Sequence, residues 1–344
     1  MRHLRLLTLA VAATAALTLA SCATAAPSAE SGVDVPHSEE GAFPVTIEHA
    51  FGETTITEQP VRVASVAWAN HEVPLALGIV PVIQEKVTWG DDDDNGILPW
   101  VEDQLAELGA ETPALYDPTD GIDFEAISDA APDVILASYS GLSQEEYDTL
   151  SKIAPTIAYP EVAWATSVED MITMNATALG FPREGAALVD DLHAQIDDAL
   201  AAHPDLEGAK VLFSYLDPAD FSRIGFYTTH DTRPGFLASI GLPLPTVVEE
   251  ESATTDQFYV EISAEEADRF ADVDVFVTYG DDAESFIAAL QADPLLSQIP
   301  AIAAGRIAVL QNSTPLAASA NPSPLSIGWG LDEYFALLAA PLAG

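Results

Sequence analysis

Short β-branched runs alternate with helical patterns along most of the chain, and this alternation constrains the fold more than any other feature. In the first half, runs occur at residues 61–66, 79–83, 133–139 and 156–159. In the second half, they occur at residues 210–215, 273–279 and 306–310. Strands that alternate with helices indicate mostly parallel sheets with both faces covered. We therefore predict an α/β protein with two Rossmann-like lobes.

A single long helical pattern separates the two series. Apolar residues such as Leu188, Leu192 and Ile196 recur at helical spacing between Pro182 and His203. About 20 residues of helix measure about 30 Å, so one stiff helix can join the lobes. We predict an N-terminal lobe over residues 43–180, a connecting helix over 181–203 and a C-terminal lobe over 204–344. Loops at the carboxyl ends of parallel strands form the usual crevice of such folds, which predicts a ligand cleft between the lobes.

Two helix starts carry a recognisable cap. Ser143 with Glu146, and Ser263 with Glu266, fit the capping box, in which a serine oxygen and a carboxylate satisfy otherwise unpaired N–H groups.

The first 22 residues have the pattern of an export signal. Arg2 and Arg5 precede an apolar run over residues 6–19, which is too short to cross a bilayer, and Cys22 follows small residues. The site resembles a bacterial lipobox, which implies removal of residues 1–21 and a lipid on Cys22. An ordinary signal peptide with an incidental cysteine is the alternative. Residues 22–42 are small, polar and acidic, and we predict a flexible tether that holds the protein at the extracytoplasmic face of the cell membrane.

The net charge excludes several classes of partner. Arg2 and Arg5 leave with the signal, so nine of the 11 basic side chains face 55 acidic ones, a formal charge of −46. No basic patch can bind nucleic acid or an anionic membrane surface, and a polyphosphate cofactor is disfavoured. Cys22 is the only cysteine, so disulfides and cysteine-based zinc sites are excluded as well. We expect no cofactor.

Several stretches of the sequence match one known family in their order and spacing. They are residues 60–68 (PVRVASVAW), 70–81, 124–137, 139–142, 152–156 and 233–242 (RPGFLASIGL). Together they resemble the substrate-binding lipoproteins of iron-siderophore ABC importers, over nearly all of residues 43–340. The resemblance implies a protein, expected to be monomeric, that captures a ferric siderophore between the lobes. It would deliver that ligand to a permease dimer driven by a cytoplasmic ATPase, and would not be an enzyme.

Aromatic residues at strand ends are the first candidates for ligand contact. Trp68, Trp89 and Tyr139 follow strands of the first lobe, and Tyr215 and Tyr227 belong to the second. Such rings can pack against the organic shell of a siderophore with little loss of rotamer freedom. The alternative is that they close the top of each lobe's core.

Arginines stand out against the acidic background. A guanidinium of Arg223, Arg233 or Arg306 in the cleft could bind the oxygens of a chelate by paired hydrogen bonds. Pairing with a nearby carboxylate is the alternative for each of them.

The resemblance also implies an acidic residue near the start of the first helix that docks on the permease, and Glu72 has that position. A favourable interaction with the helix dipole is the alternative. The matching acid of the second lobe is unassigned, with Asp231 as a weak substitute.

Residues from Asp91 to Glu102 fit a calcium-loop pattern, because several carboxylate oxygens could converge on one cation. The loop follows a predicted strand rather than a helix. A solvated acidic loop is therefore the interpretation that we adopt, and we expect no metal site.

Two other functions remain open. A haem or corrinoid carrier would need an axial ligand, for which Tyr139, Tyr227 and His230 are candidates. An exported hydrolase would need a nucleophile elbow or a zinc motif, and the sequence contains no G-x-S-x-G and no H-E-x-x-H. The negative charge favours neutral or cationic hydroxamate chelates over anionic catecholates. Salt weakens this preference, because it screens charge interactions at distances longer than about 8 Å.

Overall fold

A computed structural model describes residues 36–343. The predicted signal over residues 1–21 and the lipidation site Cys22 lie outside the described residues. Among residues 36–343, no helix combines the length and apolar character that crossing a membrane requires.

The N-terminal lobe contains a five-stranded sheet that is parallel throughout. Its strands are β3 (Val63–Ser65), β4 (Ile83–Glu85), β5 (Ala114–Tyr116), β6 (Val134–Leu136) and β7 (Thr156–Ile157), in the order β5-β4-β3-β6-β7. Its helices are α1 (Glu72–Ala76), α2 (Pro99–Leu108), α3 (Phe124–Asp129), α4 (Gln144–Leu150) and α5 (Val168–Leu179). An antiparallel hairpin of β1 (Val45–His49) and β2 (Gly52–Ile56) precedes them, and the sequence analysis did not predict it.

The predicted connecting helix is confirmed as α6 (Pro182–Ala202). Its buried face includes Leu192 and Ile196, while most of its remaining side chains are exposed. Gly185 lies against Ala176 of α5, where an added Cβ would come within 2.5 Å of the alanine Cβ. This close approach seats α6 on the last helix of the N-terminal lobe.

The C-terminal lobe repeats the strand order of the first lobe but not its strand directions. Its strands are β8 (Val211–Tyr215), β9 (Arg223–Tyr227), β10 (Tyr259–Ser263), β11 (Val275–Gly280) and β12 (Ile307–Gln311), in the order β10-β9-β8-β11-β12. Strands β8, β11 and β12 are parallel, whereas β9 is antiparallel to both β8 and β10. Only seven residues connect β8 to β9, too few for the crossover of a dozen or more residues that parallel pairing needs.

Helices pack on both sides of this second sheet. They are α7 (Thr232–Ser239), α8 (Thr246–Ser252), α9 (Ala283–Ala292), α10 (Pro300–Ala303), α11 (Pro315–Ser319) and α12 (Ser326–Ala339). The predicted α/β class with two lobes, one linking helix and mostly parallel sheets is confirmed. The sequence analysis missed β5, β9 and β10, and the strand predicted from residue 79 begins only at Ile83.

One predicted helix cap is confirmed and the other is wrong. Ser143 and Glu146 form both bonds of the capping box at α4. Ser263 instead accepts from the backbone of Glu265 at a 3-10 segment, Ala264–Phe270, so its partner is not Glu266.

Residues 36–42, which the sequence analysis assigned to the tether, are packed on the N-terminal lobe. The Glu39 backbone N–H donates to the Gly180 carbonyl at 2.9 Å, and its carboxylate accepts from Arg183 at the start of α6. Gln59 bonds to both Pro36 and Ser38. The folded body therefore begins earlier than residue 43.

Candidate functional site

Two loops at the carboxyl edge of the N-terminal sheet are tied together by Asn70. They follow β3 and β6, the adjacent strands at which the chain reverses its direction across the sheet, and such points are where open α/β sheets bind ligands. The fully buried Asn70 amide donates to the carbonyls of Val66 and Tyr139 at 2.9 and 2.8 Å. Its Oδ1 accepts from the Tyr139 N–H and the Ser138 hydroxyl, both at 3.1 Å. These four bonds fix the loops that carry Trp68 and Tyr139.

Trp68 projects from a strained turn. Its neighbours Ala67 and Ala69 have φ angles of 63° and 61°, a left-handed conformation that costs about 1–2 kcal/mol for a residue with a Cβ. Backbone strain of this kind persists where the surrounding structure holds it, and it concentrates at functional sites.

Trp164 is a second aromatic group at this edge, and the sequence analysis did not select it. Its backbone N–H donates to the Ser140 carbonyl at 2.9 Å, and its ring covers Gly141, where an added Cβ would clash with the indole Nε1. The ring also meets Tyr139 edge-on with centroids 5.4 Å apart. Gly141 is therefore required for the indole to lie flat across this loop.

Arg233 is the centre of the C-terminal side of the site. Its Nε and Nη2 donate to the two carboxylate oxygens of Asp231 at 2.8 and 2.7 Å, and Nη1 donates to the Tyr279 hydroxyl at 3.1 Å. The guanidinium carbon lies 3.8 Å from the centre of the Tyr227 ring and 5.3 Å from that of Phe213. Burial alone would lower the pKa of Arg233, but its bonds to Asp231 and Tyr279 raise it, so the group stays charged.

The two lobes contact each other through Tyr139 of the N-terminal side and Tyr279 of the C-terminal side. Trp89 of the N-terminal lobe meets Tyr279 of the C-terminal lobe edge-on, with centroids 5.5 Å apart. The Thr232 hydroxyl donates to the Tyr139 hydroxyl at 2.6 Å, and the Asn321 amide donates to the same oxygen at 3.2 Å. We call this contact region, with Trp68, Trp164 and Arg233, the interlobe seam. The lobes are closed in this arrangement, and Tyr139 is only 5% exposed.

Several predicted ligand residues do not join the interlobe seam as free groups. Arg223 pairs with Glu261 at 2.7 Å on the surface, and Tyr215 is 47% exposed at the end of β8. Arg306 precedes β12 and so lies at the amino edge of the sheet, whereas the seam uses carboxyl edges. His230 is within 3.2 Å of the Ser252 carbonyl, so the suggested haem ligands Tyr139, Tyr227 and His230 are each engaged by other groups.

Glu72 is buried, and this position contradicts the predicted docking role, which needs an accessible carboxylate. The side chain is 1% exposed. Oε1 accepts from the Trp100 indole at 2.7 Å, and Oε2 accepts from the Leu325 N–H of the C-terminal lobe at 2.9 Å. Burial raises the pKa of Glu72 to about 7, although these bonds oppose the shift. Asp231, the weak substitute, is 5% exposed and bound to Arg233, so it is equally unavailable.

The acidic loop after β4 is held by hydrogen bonds to its own carboxylates. Oxygens of Asp91, Asp92 and Asp93 lie within 4.8 Å of one another, while Asp91 also accepts from the Gly96 N–H at 2.7 Å. Asn95 bonds to Glu102 at the start of α2. Exposed acidic groups in such a loop need no cation, and calcium binding here stays an untested hypothesis.

Two cavities accompany the interlobe seam. One, of about 660 Å³, lies between α5, α6 and α7, with apolar walls that include Ile172, Leu192 and Phe236. The other, of about 160 Å³, lies at the ends of β3 and β4 beneath Trp68 and Trp89. The sequence analysis predicted neither of them as a separate space.

Residues 63–314 match the model of a family described as periplasmic binding proteins, which is more than half of the chain. The chain belongs to this family. Proteins with curated functional descriptions include no match to this binding protein.

Solved structures give more specific relatives of this binding protein. PiaA of Streptococcus pneumoniae TIGR4, an iron uptake ABC transporter substrate-binding protein crystallised with ferrichrome, is 46% identical, with a TM-score of 0.82, over 87% of this chain and 99% of that one. A periplasmic solute binding protein of Mycobacterium smegmatis is 28% identical, with a TM-score of 0.68, over 87% of this chain and 98% of that one. The predicted resemblance to iron-siderophore substrate-binding proteins is thereby confirmed.

A more distant structure shares the fold only. Staphylococcus aureus SirA with staphyloferrin B is 18% identical, with a TM-score of 0.60, over 87% of this chain and 96% of that one. The family and these relatives are binding proteins rather than enzymes, in line with the expectation for this chain.

Proposed function

We propose that this protein captures a ferric siderophore at the interlobe seam and delivers it to an ABC permease in the cell membrane. The observation that carries the proposal is Arg233, a buried cation that Asp231 fixes over the Tyr227 ring and that also bonds to Tyr279, which the Trp89 indole meets across the seam. Ring faces suit the organic shell of a chelate, and the guanidinium suits its iron-bound oxygens. The ferrichrome complex of PiaA supports the same assignment by similarity.

The proposed ligand class is a ferric hydroxamate. Asp231 neutralises Arg233, so the seam offers little net positive charge to a highly anionic catecholate chelate. A neutral or cationic chelate avoids long-range repulsion from a chain with a formal charge of −44. Because Trp89 touches Tyr279, the ligand must separate the lobes at the seam as it enters.

Tryptophan fluorescence tests this function, since Trp68, Trp89 and Trp164 all lie at the seam. The purified protein is titrated with ferrichrome, a ferric catecholate, ferric citrate and haem. We expect saturable quenching at submicromolar concentration with the hydroxamate alone. Equal indifference to all four ligands contradicts siderophore capture, and a Soret shift with haem alone would favour the haem carrier.

We further propose that Cys22 carries a lipid and tethers the protein to the extracytoplasmic face of the membrane, as its lipobox pattern implies. Intact mass of the membrane-extracted protein tests this. We expect a chain that begins at Cys22 with added acyl mass, and a Cys22→Ser variant released from the membrane fraction. An unmodified chain that retains residues 1–21 contradicts the assignment.

A further inference from the structure

The smaller cavity, hereafter the N-lobe recess, is a short pocket between the ends of β3 and β4. Its walls include the indoles of Trp68 and Trp89, with Val87 and Leu98. Its volume of about 160 Å³ equals about five water molecules at about 30 Å³ each. The space is too small for a whole ferric chelate, but it is large enough for an aminoalkyl arm.

Polar atoms without partners line this recess. His71 is 3% exposed, and neither of its ring nitrogens has a hydrogen-bond partner within residues 36–343. The indole Nε1 of Trp68 lacks one there too. A buried polar group left unsatisfied costs about 1–3 kcal/mol, so a polar ligand group that bonds to His71 recovers that free energy.

Acidic side chains outnumber basic ones in the walls of the recess. Glu72 and Glu85 line it, and both hydrogen bonds of Glu85, from the Ala67 N–H and the Tyr116 hydroxyl, go to Oε2. Lys86 also borders the recess, but its aliphatic stem lies along Gly96. The pKa of Asp117 is lowered mainly by its bonds to Thr119 and also by the charge of Lys86.

We propose that the N-lobe recess binds the protonated amino end of a siderophore side arm, so that the preferred ligand is a hydroxamate chelate with a cationic ammonium arm. The inference rests on the proposed function, and it names the ligand class more narrowly. An ammonium group has three donors and no acceptor, which matches the Oε1 of Glu85 and a ring nitrogen of His71. The indole faces of Trp68 and Trp89 add cation–π attraction.

Other properties of the recess support this ligand. Burial lowers the pKa of His71 to about 4, so its ring is neutral near pH 7 and can accept a hydrogen bond. Trp89 lines the recess and contacts Tyr279 across the interlobe seam, and Tyr279 accepts a hydrogen bond from Arg233. A chelate with its arm in the recess would therefore have its iron core beside Arg233. The two sites would thus be occupied by the two ends of one molecule.

A matched pair of ligands tests the inference. Ferrioxamine B has a terminal ammonium group, and its N-acetyl derivative has a neutral amide with an added acetyl group in its place. We expect the wild-type protein to bind ferrioxamine B about tenfold more tightly, and the ratio of the two affinities to fall to about one in Glu85→Gln. Glu333→Gln, which removes the same charge from the exposed face of α12, should keep the wild-type ratio.

The wild-type ratio alone can overturn the inference, whatever the stability of the variants. Equal affinity for both chelates in the wild type contradicts the ammonium site while leaving siderophore capture intact. Failure to bind either chelate, or ferrichrome, contradicts the proposed function and this inference with it. A third outcome is that pentylamine alone binds saturably and Glu85→Gln abolishes that binding, while the two chelates bind with equal affinity. The recess would then be a site for free amines, and the inference would be wrong.

Discussion

Arg233 makes three kinds of interaction with its neighbours. Its guanidinium group donates to the carboxylate of Asp231, the guanidinium carbon lies over the Tyr227 ring, and Nη1 donates to the Tyr279 hydroxyl. Because Asp231 is also the N-cap of α7, the start of this helix and the orientation of the guanidinium are set by one carboxylate. The cation is thus preorganised, which reduces the conformational entropy lost when a ligand binds.

Substitution of Arg233 tests its role in binding. A charge-assisted hydrogen bond contributes about 1.5–3 kcal/mol, so Arg233→Gln should weaken binding of ferrichrome by about 10- to 100-fold in a fluorescence titration. Arg183→Gln is the control, since Arg183 has an 80% exposed side chain on α6 and pairs with Glu39. Unchanged affinity in a folded Arg233→Gln protein would remove Arg233 from the site.

Sequence reasoning found part of the site because parallel strands end at a common edge. Trp68, Trp89 and Tyr139 all follow strands, and the structure brings them to one seam. Tyr279 ends the predicted strand over residues 273–279 and the same rule would have selected it. Trp164 lies in an irregular stretch and itself has a φ of 62°, and no local sequence pattern predicts its position. Glu72 was misjudged because its burial depends on Leu325, 253 positions away in the chain.

At the scale of elements, α1 is attached to the C-terminal lobe through the buried carboxylate of Glu72. The buried imidazole of His71 lies next to Glu72 in the chain. Burial raises the pKa of Glu72 from 4.5 to about 7 and lowers that of His71 from 6.5 to about 4. Between pH 4.5 and 7, Glu72 makes the folded state bind more protons than the unfolded state, so the free energy of unfolding falls as the pH rises. Between pH 4 and 6.5, His71 has the opposite effect.

Two variants should separate these opposing contributions. Between pH 5 and 6.5, we expect the free energy of unfolding to rise by up to about 2 kcal/mol in Glu72→Gln, where Glu72 no longer opposes the His71 contribution and only the raised pKa of Glu85 reduces the rise. His71→Gln should show a fall of similar size, to which Glu85, whose pKa burial also raises, contributes. Urea unfolding at the two pH values measures both. Equal pH dependence in the wild type and the two variants would contradict the assigned shifts.

The contact between α5 and α6 gives a second test on this scale. A glycine-to-alanine change in an open helix position stabilises by about 1 kcal/mol. Gly185→Ala should instead destabilise by about 1–3 kcal/mol, because its Cβ would meet Ala176 at 2.5 Å. Gly328→Ala is the matched control, since its Cβ would meet only the flexible end of Gln195. A Gly185→Ala protein more stable than the wild type would show that the two helices can move apart freely.

Elements with strong local patterns were the ones predicted from sequence. The 21-residue α6 and the buried strands β6, β8 and β11 carry unbroken apolar or helical patterns. Strand β5 has only three residues, and β9 and β10 carry charged and half-exposed positions such as Arg223 and Glu261. Strands of this kind, whether at the edge of a sheet like β5 and β10 or inside it like β9, lack the continuous apolar run of a fully buried strand, so their pairing is decided by tertiary contacts.

At the scale of the whole molecule, self-repulsion opposes folding, since 55 acidic side chains face 11 basic ones. Raising NaCl from 10 to 100 mM shortens the screening length from about 30 to about 10 Å. We expect the melting temperature to rise by about 1–2 °C, which corresponds to about 1 kcal/mol at an unfolding entropy of about 2.1 cal/mol/K per residue. Calcium chloride at equal ionic strength is the comparison. If only calcium raises the melting temperature, and Asp93→Asn abolishes the effect, a specific site rather than screening is responsible.

The packing of Glu39 against Gly180 and Arg183 places the entry of the chain beside the first turn of α6. Because α6 joins the two lobes, a force transmitted through the residues before Pro36 would act close to the connection between the lobes. Such a force would exert little torque on either lobe. If Cys22 is lipidated, as we propose, attachment at this point would therefore leave the lobes free to separate for ligand entry.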